Sequence, residues 1–264
     1  MSVLRSVYSL LLGLVQGATE FLPISSSGHL SIIQSLMGNE FSGNVYFGIV
    51  LHMGTLLAVL IFMRKQIWEV LLMFKNPFSK KAALLHSLLL GTLVTAVFII
   101  FFKKILMDMF STPKVAGWAL LFTGGINILA QVFLTKNKNS IKTANPASGA
   151  FVGLMQGFAA IPGISRSGAT ILAGGISGLS PEKAFNFSFL LSLPAIGGAF
   201  ILETISGAGG AQSLPMSQMI IGFLAALISG YFALKLLRNL VNSGKYYLFG
   251  IYAIIAGLVT VIFI

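Results

Sequence analysis

Six apolar runs of about 20 residues each constrain this chain more than any other feature of its sequence. They lie near 44–63, 82–102, 115–135, 184–203, 216–235 and 246–264. About 20 apolar residues are what an α-helix needs to cross the hydrocarbon core of a bilayer. The composition agrees, because 56% of residues are hydrophobic and only 9% are charged, against roughly 25% charged in soluble domains. The sequence therefore predicts an all-α polytopic membrane protein, formed as a single domain over residues 1–264.

Two further apolar segments, near 5–36 and 147–178, are interrupted at their middles by Pro, Gly and Ser. Each half is too short to cross the bilayer comfortably on its own. Backbone that leaves the helical path at membrane depth is tolerated only where it is buried in protein or lines a water-filled cavity. In addition to the six transmembrane helices, we therefore expect two re-entrant helical hairpins whose tips stop inside the membrane.

The two interrupted segments are related to each other in sequence. At a constant offset of 140, residues 13–28 and 153–168 are identical at 8 of 16 positions, and both contain the run Ile-Ser-x-Ser-Gly. Three predicted spans, an odd number, separate the two copies, so the second hairpin enters from the opposite face. The sequence thus predicts an inverted-topology repeat, with halves of about 1–140 and 141–264 and with hairpin tips that meet near the midplane.

The charge distribution predicts an orientation. The chain carries 17 Lys and Arg against 6 Asp and Glu, which gives a formal net charge of +11. The basic residues lie in short loops, so we expect them to contact anionic membrane lipids, and we expect no nucleic-acid partner. Twelve of the 17, five of them in a loop predicted at 64–81, fall on one side, against four on the other. The positive-inside rule places the twelve in the cytoplasm, so the first hairpin opens to the outer, periplasmic side.

Each hairpin restarts as a helix at a serine-rich stretch, Ser-Ser-Ser-Gly at 25–28 and Ser-Arg-Ser-Gly at 165–168. Serine is a good N-cap, and a helix N-terminus offers free N–H groups and a positive dipole end to an anion. Two such ends facing each other would hold two phosphoryl groups, and Arg166 adds a guanidinium that binds phosphate oxygens in pairs. Thr170, one turn after Arg166, is expected on the same side. The predicted diphosphate-binding residues are Arg166, Ser165, Ser167, Thr170, Ser25 and Ser27.

Glu20 is the most informative of the six acidic residues, because it alone belongs to a re-entrant segment. An ionisable group inside the membrane is a functional candidate by default. The alternative is an ion pair with Arg166 that holds the two hairpins together. Gln16 lies one turn earlier on the same face of the helix.

His29 is the second acid–base candidate. It lies three residues after Ser26 and four after Ser25, so it can approach a serine hydroxyl, and imidazole titrates near neutral pH. We interpret Glu20, His29 and Ser26 as the catalytic group, with either Ser26 or a water as the nucleophile. His52 and His86, each alone in a span, are expected to be packing or hydrogen-bonding residues.

The two copies differ where the chemistry would lie. The residues of the second copy that correspond to Glu20 and His29 are alanines, and the residue of the first copy that corresponds to Arg166 is Ser26. This division suits an enzyme that acts on one asymmetric substrate better than a symmetric carrier. The leading alternative is a secondary transporter or lipid flippase, since inverted repeats with broken helices at the midplane are typical of transporters.

At these residues the sequence resembles the undecaprenyl-diphosphatase (bacitracin-resistance) family. The family's first motif, Glu or Gln, three residues, Glu, and then Ser-Ser-x-Gly-His, reads here as Gln16 to Glu20 followed by 25–29. Its second motif, Pro-Gly-x-Ser-Arg-Ser-x-x-Thr, is found at 162–170. The chain length and the layout of six spans and two hairpins extend the resemblance over the whole chain.

The resemblance implies hydrolysis of undecaprenyl diphosphate, a C55 isoprenoid diphosphate, to its monophosphate. This step recycles the lipid carrier of peptidoglycan synthesis in the bacterial inner membrane and gives bacitracin resistance. The resemblance also implies a divalent cation, Mg²⁺ or Ca²⁺, with Glu20 and Gln16 as candidate ligands. Because Gln16 stands at the first motif position, this pair offers one carboxylate rather than two. A polyprenyl-phosphate flippase of the same fold stays an alternative, and the sequence leaves open whether the chain forms a homodimer.

Overall fold

A computed structural model describes residues 2–37, 45–79, 82–108, 113–205 and 214–263 of the chain. Over these residues the backbone forms eleven α-helices and no strand. The helices are α1 (Ser2–Phe21), α2 (Ser26–Met37), α3 (Val45–Phe62), α4 (Arg64–Met73), α5 (Ala83–Asp108), α6 (Pro113–Lys136), α7 (Pro146–Phe158), α8 (Arg166–Ile176), α9 (Pro181–Ile205), α10 (Met216–Asn242) and α11 (Tyr247–Phe263). The prediction of an all-helical polytopic membrane protein is confirmed.

Each of the six predicted spans corresponds to one helix. Four of them, α5, α6, α9 and α10, are long and apolar enough to cross a membrane by themselves. Helix α3 reaches that length only together with α4, after a bend of 75°, and α11 is a shorter apolar helix. The count of six crossings therefore stays a prediction.

Helix α4 lies where a loop was predicted over 64–81. Its apolar residues Ile67 and Val70 pack against the core, whereas Arg64, Lys65 and Glu69 are exposed. Its exposed side also carries a tryptophan and two leucines, and aromatic residues together with basic ones are typical of a segment at the membrane interface. The expectation of a loop is wrong here, because its dense charges masked the helical spacing of the apolar residues.

Two helix pairs occur where the hairpins were predicted, α1 with α2 and α7 with α8, and their re-entry into the membrane stays a prediction. Each tip contains one residue in the left-handed region, Ser25 with φ 67° and Gly163 with φ 87°. Each second helix is then capped by a serine. The amide of Gly28 donates to Ser25 Oγ at 3.3 Å, and the amide of Gly168 donates to Ser165 Oγ at 3.2 Å. The two tips therefore share the serine cap but turn at different positions, since the left-handed residue is the capping serine in the first tip and lies two residues before it in the second.

The hairpins pack closely against long helices through glycine. Helix α1 lies along α10, and α7 lies along α5. A Cβ added to Gly13 would overlap the carbonyl oxygen of Gly222, and one added to Gly153 would overlap that of Gly91. Small residues at such crossings let two backbones approach within the bilayer. Each hairpin thus packs against a helix from the other half of the chain, which is the arrangement expected of two halves related by a twofold axis. The division of the chain near residue 140 stays a prediction.

One packed core anchors both tips. It includes Phe21 and Ile24 from the first tip, Ile164 from the second, and Phe189 from α9. The rings of Phe21 and Phe189 meet edge to face, with centroids 5.8 Å apart. The polar residues of the two tips are therefore held on a rigid apolar base.

We predict that Gly153→Val destabilises the protein by about 1–3 kcal/mol, the usual cost of overpacking, because the new side chain would overlap the backbone of α5. Thermal unfolding of the purified protein in detergent measures this effect. Gly125→Ala is the matched control, since an added Cβ there has no heavy atom within 4 Å. Equal midpoints for the two variants would show that α7 and α5 do not pack as described.

Candidate active site

Glu20 joins the two hairpins. Its Oε1 accepts a hydrogen bond from Nη2 of Arg166 at 2.7 Å, while its Oε2 accepts from Ser26 Oγ at 2.7 Å and from Gln16 Nε2 at 3.0 Å. The carboxylate side chain is only 7% exposed and the Arg166 side chain 20%. The ion pair considered as an alternative role for Glu20 is therefore present, and it leaves the carboxylate in direct contact with the hydroxyl of Ser26.

The serine-rich tips meet each other as the repeat predicts. Within the tips, Ser25 and Ser27 have hydroxyls 3.2 Å apart, and so do Ser165 and Ser167. Between the tips, the amide of Gly163 donates to Ser27 Oγ at 3.3 Å. Two helix N-termini, those of α2 and α8, are thus brought to one place.

Two cavities of about 190 Å³ each share Glu20, His52 and Arg166 in their walls. The first is polar and is bounded by both tips; its other lining residues are Thr19, Ser25, Ser26, Ser27, Ala159, Ile164 and Ser165. Its walls contain the first residues of α2 and α8, whose N–H groups and positive dipole ends favour an anion. The second lies between α3 and α9, and its remaining lining is apolar: Ile49, Ala195, Ile196, Ala199 and Phe200. A polar cavity that favours an anion and an apolar cavity therefore lie side by side.

Two predicted substrate-binding residues lie behind this wall. Ser167 is 3% exposed and Thr170 is 1% exposed, and neither lines the polar cavity. The hydroxyl of Thr170 donates to the carbonyl oxygen of Arg166 at 2.8 Å and lies 2.5 Å from Ser188 Oγ. Both residues support the first turn of α8, which carries Arg166 at its start.

His29 points away from Glu20. Its Nδ1 lies 2.7 Å from the carbonyl oxygen of Ser25, and its Nε2 lies 2.8 Å from the hydroxyl of Tyr252 on α11. Because a carbonyl oxygen only accepts, Nδ1 carries the proton and Nε2 accepts from the tyrosine. The expected approach of His29 to a serine hydroxyl is not found, because the left-handed Ser25 turns its hydroxyl toward Ser27 and the amide of Gly28.

His52 is a site residue that the sequence interpretation missed. It was expected to be a packing or hydrogen-bonding residue, and its Nδ1 does donate to the carbonyl oxygen of Gly48 at 2.9 Å. However, its side chain is 45% exposed and lines both cavities, with Nε2 3.9 Å from Glu20 Oε2. The hydrogen-bonding role is confirmed, but the place of His52 beside Glu20 was not predicted, because the contact of α3 with α1 is tertiary. The available signal was an imidazole in an otherwise apolar helix.

The donor atoms fit a cation that the substrate helps to hold. Among the residues that the structure describes, no three His, Cys, Asp or Glu side chains converge. However, Oε1 of the buried Gln16 has no hydrogen-bond partner, while Nε2 of the same amide donates to Glu20 Oε2 at 3.0 Å, so this oxygen belongs to a residue in contact with the carboxylate. Mg²⁺ is usually bound by one or two carboxylates together with waters and substrate phosphates. These two residues suit such a site and do not suit a cage made by the protein alone.

Comparison with known proteins identifies relatives over nearly the whole chain. An undecaprenyl-diphosphatase of Carboxydothermus hydrogenoformans is 38% identical over 257 residues, which cover 96% of this chain and 95% of that protein. One of Halothermothrix orenii is 37% identical over 252 residues and covers 95% of each chain. A third, from Desulfosudis oleivorans, is 38% identical over an alignment of 277 positions, which covers 97% of this chain and 98% of that protein.

The fold and the site together define a polytopic membrane protein with a buried carboxylate and a guanidinium paired in a polar cavity between two helical hairpins. The sequence model of the bacitracin resistance protein BacA family matches residues 9–259. This chain belongs to that family, as the motifs at Glu20 and Arg166 indicated.

Proposed function

We propose that this chain is an undecaprenyl-diphosphate phosphatase, which hydrolyses the C55 isoprenoid diphosphate to its monophosphate. The observation that carries this proposal is the buried carboxylate of Glu20, bonded at once to Ser26 and Arg166 between two helix N-termini. A nucleophile in contact with a base, beside a fixed cation, is the arrangement that phosphoryl transfer requires. The three relatives described above are named for this phosphatase activity.

The diphosphate group would occupy the polar cavity. Arg166 supplies a guanidinium for phosphoryl oxygens, and the hydroxyls of Ser25, Ser27 and Ser165 lie on the same wall. The dipoles of α2 and α8 add positive potential where negative charge develops. Ser167 and Thr170 act behind Arg166 by supporting the start of α8.

The apolar cavity between α3 and α9 suits the isoprenoid chain. It adjoins the polar cavity at Glu20 and is lined beyond that point by aliphatic and aromatic side chains. Along the same helices, a Cβ added to Gly48, Gly197 or Gly198 would meet no atom within 4 Å, so open space surrounds them. A lipid diphosphate would thus place its head between the tips while its tail leaves sideways between α3 and α9.

The reaction would use Ser26 as nucleophile and Glu20 as base. Ser26 Oγ attacks the terminal phosphorus, its proton passes to Glu20 Oε2, and the bond from phosphorus to the bridging oxygen breaks. The electron pair stays on the departing undecaprenyl monophosphate, which takes the proton back from Glu20. A water then attacks the phosphoserine and gives a proton through Glu20 to Ser26 Oγ, which releases inorganic phosphate. The 2.7 Å contact between Ser26 and Glu20 supports this assignment over direct attack by water.

A divalent cation completes the proposal. Glu20 and Oε1 of Gln16 would hold Mg²⁺ or Ca²⁺ together with the diphosphate, and the bound ion would neutralise phosphoryl charge. Side chains of the protein supply the other catalytic roles: Arg166 orients the terminal phosphoryl group, and Glu20 transfers the proton.

We place the enzyme in the bacterial inner membrane, with the site open to the periplasmic side. The excess of Lys and Arg in the loops opposite the first hairpin supports this orientation. The product monophosphate would then re-enter the carrier cycle of peptidoglycan synthesis, and continued removal of the diphosphate would give bacitracin resistance.

The proposed function is tested by phosphate release from undecaprenyl diphosphate by the purified protein in detergent. We expect wild type to release phosphate, chelator to abolish release, and Glu20→Gln and Arg166→Ala each to reduce it by a factor of about 100 or more. If wild type releases no phosphate with Mg²⁺ or Ca²⁺ and instead moves lipid across liposome membranes, the phosphatase proposal fails.

Ser26→Ala separates serine attack from water attack. If Ser26 is the nucleophile, the variant should lose nearly all turnover, whereas wild type quenched with acid during turnover of terminally labelled substrate should carry label on Ser26. Ser25→Ala provides the comparison, because its hydroxyl lies on the same wall without contacting Glu20 among the described bonds. Full turnover by Ser26→Ala would assign the attack to water.

His52→Ala tests the residue that sequence reasoning missed. Its imidazole borders both cavities, so we expect kcat/KM to fall about tenfold, as for the loss of one hydrogen bond to a charged group. His86→Ala is the control, because His86 is exposed and lines neither cavity. Equal kinetics for the two variants would show that His52 takes no part in the reaction.

A further inference from the structure

Two polar side chains of α6, Thr123 and Asn127, lie behind the hairpin tips. Both are 0% exposed, and neither lines the cavities that contain Glu20 and Arg166. They are four residues apart, so their side chains lie on one face of α6 about 6 Å apart. Neither belongs to a hairpin, and neither has a role in the reaction proposed above.

Thr123 holds the second tip. Its hydroxyl donates to the carbonyl oxygen of Gly163 at 3.0 Å and accepts from the amide of Ser165 at 3.1 Å. Ser165 directly precedes Arg166, so the backbone that presents the guanidinium is bonded to α6. The amide of Gly163 meanwhile donates to Ser27 of the first tip at 3.3 Å.

Asn127 holds the first tip. Its Nδ2 donates to the carbonyl oxygen of Pro23 at 2.5 Å. Pro23 follows Glu20 by three residues in the first tip. Its Oδ1 is buried and has no hydrogen-bond partner, and a Cβ added to Gly168 would lie 2.8 Å from it. The amide group is therefore wedged between the first tip and α8, where only a glycine leaves room for it.

Both tips need such support. Irregular backbone at membrane depth has no water to satisfy its carbonyl groups, so partners must come from the protein. Ser25 also holds a left-handed conformation, which a residue other than glycine keeps only where its surroundings determine it. One turn of α6 supplies partners to both tips at once, and a regular helix is a rigid spacer between the two attachment points.

We propose that Thr123 and Asn127 are positioning residues that set the separation of Glu20 and Arg166 by tying both tips to one turn of α6. The catalytic consequence rests on the proposed function. The geometric consequence does not, because it concerns only how far apart the two tips stand. Misplacement of a reacting group by about 1 Å can lower turnover about a hundredfold.

The kinetic test replaces the two residues with apolar side chains of similar shape, Thr123→Val and Asn127→Leu, singly and together. We expect kcat to fall about a hundredfold in the double variant, with a much smaller change in KM. Thr123→Ser keeps the hydroxyl and should recover most of the turnover lost in Thr123→Val. Thr260→Val on α11 is the matched control, because this buried hydroxyl bonds only the Ala256 carbonyl of its own helix among the described contacts.

A second measurement does not depend on activity. The chain has no cysteine, so Thr19→Cys with Ala159→Cys adds one thiol to each hairpin at the polar cavity while Glu20 and Arg166 stay in place, and a short bifunctional thiol reagent can join the two thiols. We expect the cross-linking rate to fall severalfold when Thr123→Val and Asn127→Leu are added, and to stay unchanged with Thr260→Val.

The two measurements separate the possible failures. Unchanged kcat and unchanged cross-linking would overturn the positioning role, and so would a loss of kcat that only parallels a lower unfolding temperature in the single variants. If wild type releases no phosphate, the proposed function fails, and the cross-linking rate still decides whether α6 positions the tips.

Discussion

The buried contact between Glu20 and Arg166 is the interaction on which the rest of the structure depends. A charge at membrane depth is expensive unless it is paired and hydrogen-bonded. Glu20 is satisfied by Arg166, Ser26 and Gln16 together, with bonds of 2.7 to 3.0 Å. Because Arg166 is 146 residues away in sequence, this pairing requires both hairpins to stop at the same depth and to meet tip to tip.

Three features let the tips meet at that place. Glycines on α1 and α7 allow close contact with α10 and α5. The serine caps each satisfy one amide in the first turn of α2 and α8, and α6 binds backbone groups of both tips. The resulting centre combines two helix N-termini with one guanidinium and borders an apolar pocket. This combination matches a substrate that has an anionic head and a long apolar chain.

Particular residues show how far sequence reasoning reaches. The hairpins were predictable because proline, glycine and serine interrupt apolar runs in two segments that match at a constant offset. The contact of Glu20 with Arg166 was foreseen only as an alternative role for Glu20, which facing tips would allow. The surface helix α4 was missed because its charges masked an apolar spacing. The contacts of His29 and His52 were not predicted, because the direction of a side chain and the helix packed beside it depend on the tertiary structure.

By itself the sequence determined the all-helical membrane fold, the two broken segments and the residue types at their tips. Each of these follows from local physics, namely the hydrophobic length needed to span a bilayer and the preferences of proline, glycine and serine. Only the tertiary structure decided which groups touch. It turned His29 toward Tyr252, brought His52 to the cavity wall, placed Thr170 behind Arg166 and bound both tips to Thr123 and Asn127. Such contacts join residues distant in sequence, and their distances exist only once the helices have packed.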